Sequence, residues 1–584
     1  MEKKKIYIYV GIIIMLVVIL GVLLKFALFS NNSNGGSNFF ESSNTTNSAS
    51  EEAITESTKL DQATNRGEVS YTDYSAKVNL SNLSYEGTGV TISNSTIKIT
   101  KQGTYYFTGN LEDGNIVIDA GDDDNVVLVF DNANITCSTT AVINGVNAKN
   151  IIINLKDGST NTFTDSNNYT VFTEDDEPNS VVFSKTDLII NGTGTLIVNA
   201  NYEDGIVSKD DLVITNANIK VTSADDAVRG KDSVDIKDAI ITINAKGDGI
   251  KSTNDTDTSK GYVIIDGGKI NIEAENDGIQ AETVLNISNA DITINTTGNT
   301  SDENVSSKGL KSGKEITINS GNIAISSTDD SIHSNYFMII NGGELTLASG
   351  DDGLHADTNI QINGGNINIT KSYEGIEAAY IVIDDGDISV VASDDGLNAS
   401  DGSGTTEFWG RQESFNTNVS AQLIINGGNI YVNASGDGLD ANGAITQNGG
   451  NVVVAGTQNN GNGALDYDST FNVNGGSLII YGATGMWQNP STTSSQYSIC
   501  FSASGKAGDE IVVKDSNGNT VAQFTTDKAY SAILISNSKL QKGITYTLYV
   551  NGSQVSSLEI TSIVTSQASG NGMMGGGMNQ GGRR

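Results

Sequence analysis

Asp351–Thr370 reads DDGLHADTNIQINGGNINIT, and Asp329–Ala348 reads DDSIHSNYFMIINGGELTLA, the same phrase 22 residues earlier. Each copy opens on paired carboxylates, alternates apolar and polar residues, and turns on Asn-Gly-Gly. Followed through the chain, the corner position falls at Asp204, Asp226, Asp248, Asp277, Lys308, Asp330, Asp352, Glu374, Asp395, Asp437 and Asn462. The steps are 22, 22, 29, 31, 22, 22, 22, 21, 42 and 25 residues, a basic unit with occasional insertions, which is the signature of a solenoid. Ile362, Ile367 and Ile369 stand among Gln361, Asn366 and Asn368, and this period of two means strands. No unit has room for a helix, which argues against leucine-rich repeats, and propeller blades need units of about 40 residues. The pattern predicts an all-β fold, a parallel β-helix with three short strands per turn and turns ~4.8 Å apart, so that eleven corners span about 50 Å.

Composition agrees with an elongated fold of small units. Only 37% of the 584 residues are apolar and 6% aromatic, against 65 glycines and 2 prolines. With 69 acidic and 33 basic residues the net charge is −36, which argues against nucleic acid as a partner and suits a cation-rich extracellular setting. The two cysteines, Cys137 and Cys500, are too few for a disulfide framework and are expected free and buried.

Lys3, Lys4 and Lys5 precede an apolar run at residues 6–24, long enough at ~1.5 Å per residue to cross a bilayer. No A-x-A-like site follows, so the run reads as an uncleaved single-pass membrane anchor with the rest of the chain outside; secretion after signal cleavage is the alternative. The expected organisation is residues 1–29 as basic start and anchor, 30–74 as polar linker, 75–494 as β-helix, 495–562 as a small β cap, and 563–584 as a Gly/Met-rich tail.

In a solenoid, a residue repeated once per turn becomes a column. One outward column collects Arg229, Lys251, Gln280, Lys311, His333, His355, Glu377, Asn398 and Asp440, changing from basic to acidic. Beside it runs the corner column. Carboxylates ~4.8 Å apart repel by about 1 kcal/mol per neighbour in water, and more when desolvated. Calcium bridging successive turns would offset that repulsion, with Asp204, Asp225, Asp226, Asp248, Asp277, Asp330, Asp352, Asp395 and Asp437 as candidate ligands. Asp-Gly is also ordinary corner chemistry, so a purely structural role stands beside the metal reading. Arg229, Lys251, Lys308, Lys311, His333 and His355 are candidates for contacting an acidic sugar chain, or are solvated surface cations. The insertion 401–420 carries Phe408, Trp409 and Phe415. Trp409 is a candidate sugar platform there, unless these aromatics only fold the loop back.

The runs GTYYFTGNLEDGNIVIDAGDDDNVVLVFDNANIT (103–136), NGTGTLIVNANYEDGIVSKDDLVI (191–214), the repeated DGI and NGG phrases, and GNGALDY (461–467) followed by GATGM (482–486) resemble the clostridial-type carbohydrate-binding β-helix family. The resemblance covers roughly residues 75–565. It implies a right-handed parallel β-helix similar to pectate lyases, binding calcium and acidic plant polysaccharide such as polygalacturonate, with cellulose a further ligand in the family. It implies no firm catalytic activity. Lys308 departs from the acidic corner, which puts a metal at that turn in doubt. A lyase would need calcium and a base such as Lys251 or Lys311, yet every such residue is one member of a column and none forms a singular constellation. Repetition favours polymer binding, with a lyase or a structural surface protein as alternatives, and a monomer is expected.

Overall fold

The computed structural model describes residues 73–172, 177–298, 306–400 and 421–568. The chain divides into two units, Met1–Ser48 and Ala49–Arg584, and every described residue belongs to the second. The apolar run 6–24, the insertion bearing Trp409 and the Gly/Met-rich tail beyond 568 lie outside the described residues. Among the described residues no helix is long and apolar enough to cross a membrane.

All regular structure among the described residues is β, and 47 strands join one hydrogen-bonded network, with a separate four-stranded antiparallel sheet. Three parallel ladders carry most of it. The short one stacks Val228–Gly230, Ile250–Ser252, Ile279–Ala281, Leu310–Ser312 and Ile332–Ser334 in register. A second stacks Ser233–Lys237, Tyr262–Asp266, Val284–Ser288 and Glu315–Ile318. The third stacks Asn218–Ser223, Ile240–Ala245, Lys269–Ala274 and Ala290–Thr296. The fold is thus a solenoid-like, β-helix-like coil. Period-two alternation sends Leu354, Ile367 and Ile369 fully inside, where each buried aliphatic contributes roughly 1.5–3 kcal/mol.

The Asn-Gly-Gly corner is built as its chemistry requires. Asn363 donates to Asn341 at 2.7 Å and Asn341 to Asn319 at 2.9 Å, so the amides form a ladder along the coil. The second glycine takes φ of +103° at Gly343 and +105° at Gly365, a region that resists any Cβ.

Both ends are closed by antiparallel strands, which remove open edges. Ala76–Asn79 pairs with Ser84–Gly87, and Val90–Ser93 with Thr96–Ile99. At the other end Ser477–Gly482 pairs antiparallel with Tyr530–Asn537, and a second core around Tyr481, Phe501, Tyr530 and Tyr546 lies beneath. Lys528 is tucked against the coil, donating to the carbonyls of Ala434 and Ala455, and burial lowers its ammonium. Cys137 and Cys500 are free and buried, and burial pushes the Cys500 thiol up to about 12. Trp487 is buried in the main core.

Candidate functional site

The outward column exists as a continuous register: Arg229, Lys251, Gln280, Lys311, His333, His355, Glu377, Asn398, Asp440 and Asp466 face one another in turn. Alongside it the corner residues close a zipper. The N–H after each corner donates to the corner carbonyl of the next turn, as Gly249 does to Asp277 at 2.9 Å and Gly353 to Glu374 at 3.0 Å. The next corner's own N–H donates back to the carboxylate: Asp226 to Asp204 Oδ1 (3.1 Å), Asp248 to Asp226 Oδ1 (2.9 Å), Asp277 to Asp248 Oδ1 (2.8 Å) and Lys308 to Asp277 Oδ1 (2.8 Å). The pattern resumes at Asp352 to Asp330 Oδ1 (3.0 Å), Glu374 to Asp352 Oδ1 (3.2 Å) and Asp437 to Asp395 Oδ1 (2.6 Å). Lys308 has no acceptor, and at that turn the Asp330 N–H is served by Asp329 Oδ1 at 2.9 Å.

The glycine of each Asp-Gly pair is fixed by this closeness. A Cβ on Gly249 would stand 2.5 Å from the Gly278 carbonyl oxygen and 2.6 Å from Ile272 Cγ2.

The second carboxylate oxygens face the outward column. From Asp204 to Asp352 they meet cations. Arg229 pairs with Asp204, Lys251 with Asp248 Oδ2 (2.5 Å) and Asp226 Oδ2 (3.6 Å), and Lys311 with Asp277 Oδ2 (3.1 Å). Lys308 reaches Asp330 Oδ2 (2.7 Å) and Asp329 Oδ1 (2.8 Å), while His333 Nδ1 stands 2.8 Å from Asp330 Oδ2 and His355 Nδ1 3.2 Å from Asp352 Oδ2. Burial alone would raise Asp330, but the His333 hydrogen bond and the Lys308 charge outweigh it and hold its carboxyl far below the usual range. Burial alone would lower His355; its hydrogen bond to Asp352 and the charges of Asp330 and Glu377 lift it to about 9. Burial still pushes Asp204 up to about 7 and Asp248 up to about 6, because Arg229 and Lys251 are offset by the neighbouring aspartates. Asp225 stands exposed on the rim, raised by burial and by Asp226.

From Glu374 onward the corner carboxylates have no cation partner among the described residues, while in the outward column Glu377 meets His355 Nδ1 at 3.9 Å. Burial, then Glu377, pushes Glu374 up to about 8. Burial, then Asp395, Asp437 and Asp466, pushes Asp440 up to about 7, and burial raises Asp395 to about 6 against the Asp437 N–H. Carboxylate oxygens of Asp395, Asp437 and Asp440 lie within 4.8 Å of one another. Asn398, the register neighbour of Asp440, is 8% exposed; its Nδ2 donates to Glu374 Oε2 at 2.8 Å, and its buried Oδ1 has no hydrogen-bond partner.

The candidate ligands and sugar contacts read from the sequence thus stand side by side, except Trp409, which lies outside the described residues. The cations among them are bound to corner carboxylates rather than free. Asp440, Glu374, Glu377 and Asn398 were legible as column members but not as a separate group, and Asp466, which continues the outward column past Asp440, was not singled out.

A cavity of about 430 Å³ opens beside the first turns of the column, lined by Glu177, Lys185, Lys209, Arg229, Lys231 and Thr253 among others. Glu177 pairs with Lys209 at 2.7 Å and Lys185 at 3.2 Å. Tyr336 and Tyr373 are exposed at 46% and 48%, next in sequence to the histidine strand and to the Glu374 corner respectively.

The chain is similar to known proteins over parts of its length. A solved structure described as the polysaccharide lyase-like protein from C. thermocellum, gadolinium derivative, is 38% identical over 38% of this chain and 92% of that one, with a TM-score of 0.37. A carbohydrate-binding domain-containing protein of Acetivibrio thermocellus is 40% identical over 146 residues, 25% of this chain; the match spans half of that relative's length. A family model described as carbohydrate-binding domain-containing protein matches residues 93–353 and 336–408, together more than half of the sequence, and the chain belongs to that family.

Proposed function

We propose that the protein holds an acidic, polygalacturonate-like polysaccharide outside the cell, anchored by residues 6–24, on a right-handed coil of the pectate-lyase type with bound calcium. The observation that carries this reading is the cavity: Lys185, Lys209, Arg229 and Lys231 outnumber Glu177 there on a chain whose net charge is −36, a natural seat for a sugar carboxylate beside the Glu177 pairs. Tyr336 and Tyr373 supply exposed rings against which a pyranose face packs.

The calcium reading narrows onto the acidic end of the column. Asp226, Asp248, Asp277 and Asp330 each give one oxygen to a backbone N–H and the other to a lysine, which leaves little for calcium, and the second oxygen of Asp352 faces His355, a nitrogen donor that calcium does not take. Asp204 is likewise taken by Asp226 N–H and Arg229. Asp395, Asp437 and Asp440 keep free oxygens, and the orphaned Asn398 Oδ1 adds a neutral donor, an all-oxygen set of the kind calcium takes. Calcium bound there would neutralise the acidic turns and offer open coordination to a uronate.

The test is affinity electrophoresis of the full chain in polygalacturonate, in highly methyl-esterified pectin and in a neutral glucan, with and without calcium. Retardation by polygalacturonate is expected, with a loss of at least about tenfold for Lys209→Ala/Lys231→Ala. Equal retardation by the neutral glucan overturns the acidic-ligand reading, and new unsaturated sugar ends would assign a lyase instead.

A further inference from the structure

The chain has two histidines, His333 and His355. They occupy facing positions on consecutive turns, with ring centroids 4.8 Å apart in an edge-on arrangement. Two overlapping groups form around them, Asp330–His333–His355 and Asp352–His355–Glu377, and in each the donor atoms lie within 4.8 Å of one another. They sit where the cation-rich part of the column gives way to the acidic part.

We propose that Asp352, His355 and Glu377 form a site for a divalent transition-metal ion of the zinc class, coordinated through His355 Nδ1. His355 Nδ1 stands 3.2 Å from Asp352 Oδ2, 3.9 Å from Glu377 Oε2 and 3.8 Å from Asp330 Oδ2. Donors around a tetrahedral ion with bonds of ~2.0–2.1 Å stand roughly 3.4 Å apart, so small side-chain shifts close the set around one ion. Asp352 is held in place through its other oxygen, which accepts the Glu374 N–H at 3.2 Å. The far imidazole nitrogen, Nε2, stands 3.8 Å from Asp357 Oδ1, the position of the outer carboxylate that orients a metal-bound histidine. An imidazole donor selects zinc, cobalt or nickel over calcium, which takes oxygen ligands. On binding, the proton held at Nδ1 leaves to solvent as the nitrogen lone pair turns to the metal.

The neighbouring group does not offer the same seat. Lys308 Nζ lies 2.7 Å from Asp330 Oδ2, and the same oxygen is bonded to His333 Nδ1, so a positive charge already fills that corner. The inference is independent of the sugar reading and of calcium at Asp440.

The test titrates the chelator-stripped full chain with Zn²⁺ by calorimetry and with Co²⁺ by visible absorption, in millimolar calcium. One equivalent is expected to bind, with visible bands showing nitrogen ligation. His355→Ala lowers affinity at least about 100-fold and Glu377→Gln at least about tenfold, whereas His333→Ala and Asp440→Asn change it less than about threefold. Should His355→Ala misfold, Glu377→Gln and the Co²⁺ spectrum of the parent still decide. Zinc binding unaltered in either His355→Ala or Glu377→Gln, equal losses from His333→Ala and His355→Ala, or displacement of zinc by calcium overturns the proposal.

Discussion

From Asp204 to Asp352 the corner carboxylates face Arg229, Lys251, Lys308, Lys311 and the two histidines; from Glu374 to Asp437 they face the acidic or amide residues Glu377, Asn398, Asp440 and Asp466. The use of one oxygen as a cap for the next turn recurs in both stretches, at Asp204 and Asp330 in the first and at Asp395 and Asp437 in the second. The difference lies in the second oxygen alone. The corner aspartate is therefore first a structural device, and its charge balance is set by its neighbours in the outward column. Where that neighbour is cationic the charge is settled internally. Where it is acidic, like charges face one another and hold the carboxyls up.

The largest contrast should come from deleting one carboxylate in each stretch. Asp330→Ala leaves Lys308 with Asp329 alone, takes the acceptor from His333 Nδ1 and the Asp352 N–H, and is expected to cost about 3–5 kcal/mol in urea unfolding. Asp440→Ala relieves like-charge repulsion and should cost less than about 1 kcal/mol in the absence of calcium. Equal losses would erase the distinction between the two stretches.

A smaller effect follows with pH. Glu374 and Asp440 are raised to about 8 and about 7, so the stability they contribute is complete below the ordinary carboxylate range and is lost as pH rises through 7 and 8. His355, raised to about 9, contributes in the same sense, fully below its ordinary value and lost as pH rises through 9. The chelated protein should therefore melt several degrees lower at pH 9 than at pH 5.5. Millimolar calcium should flatten that fall in the parent and not in Asp440→Asn; a profile indifferent to calcium would remove the metal from the acidic turns. The smallest effect is expected away from both stretches. Asn363→Ala removes an exposed rung of the amide ladder and should cost about 0.5–1 kcal/mol, whichever cations are present.

The 22-residue period and the alternation within it were enough to place Arg229 beside Lys251 and His333 beside His355, because a solenoid converts spacing into register. The Asn-Gly-Gly corner was legible for the same reason, since the ladder and the positive φ both follow from residue type. Which oxygen of Asp248 accepts a backbone N–H and which meets Lys251 was not, because both depend on the rotamer and on chain direction. Nor could spacing announce the cavity, which gathers Lys185, Lys209 and Arg229 from successive turns against Glu177 of a connecting segment. The antiparallel strands at 84–93 were equally silent, their alternation being indistinguishable from that of a further turn.

The corner zipper has a direction. At its start the Asp204 N–H donates to the Asn179 carbonyl, and at the other end the Gly463 N–H donates to Asp437 Oδ1. Between those ends each aspartate corner presents to its successor the same acceptor that it found on its predecessor, and the Lys308 turn, where Asp329 serves instead, interrupts the series. A tandem copy of one 22-residue block, such as 331–352, would meet a matching joint on either side. Such a protein can grow or shrink by whole units through gene duplication, and each event slides the charged residues of the facing stripe past new partners without asking anything new of the scaffold.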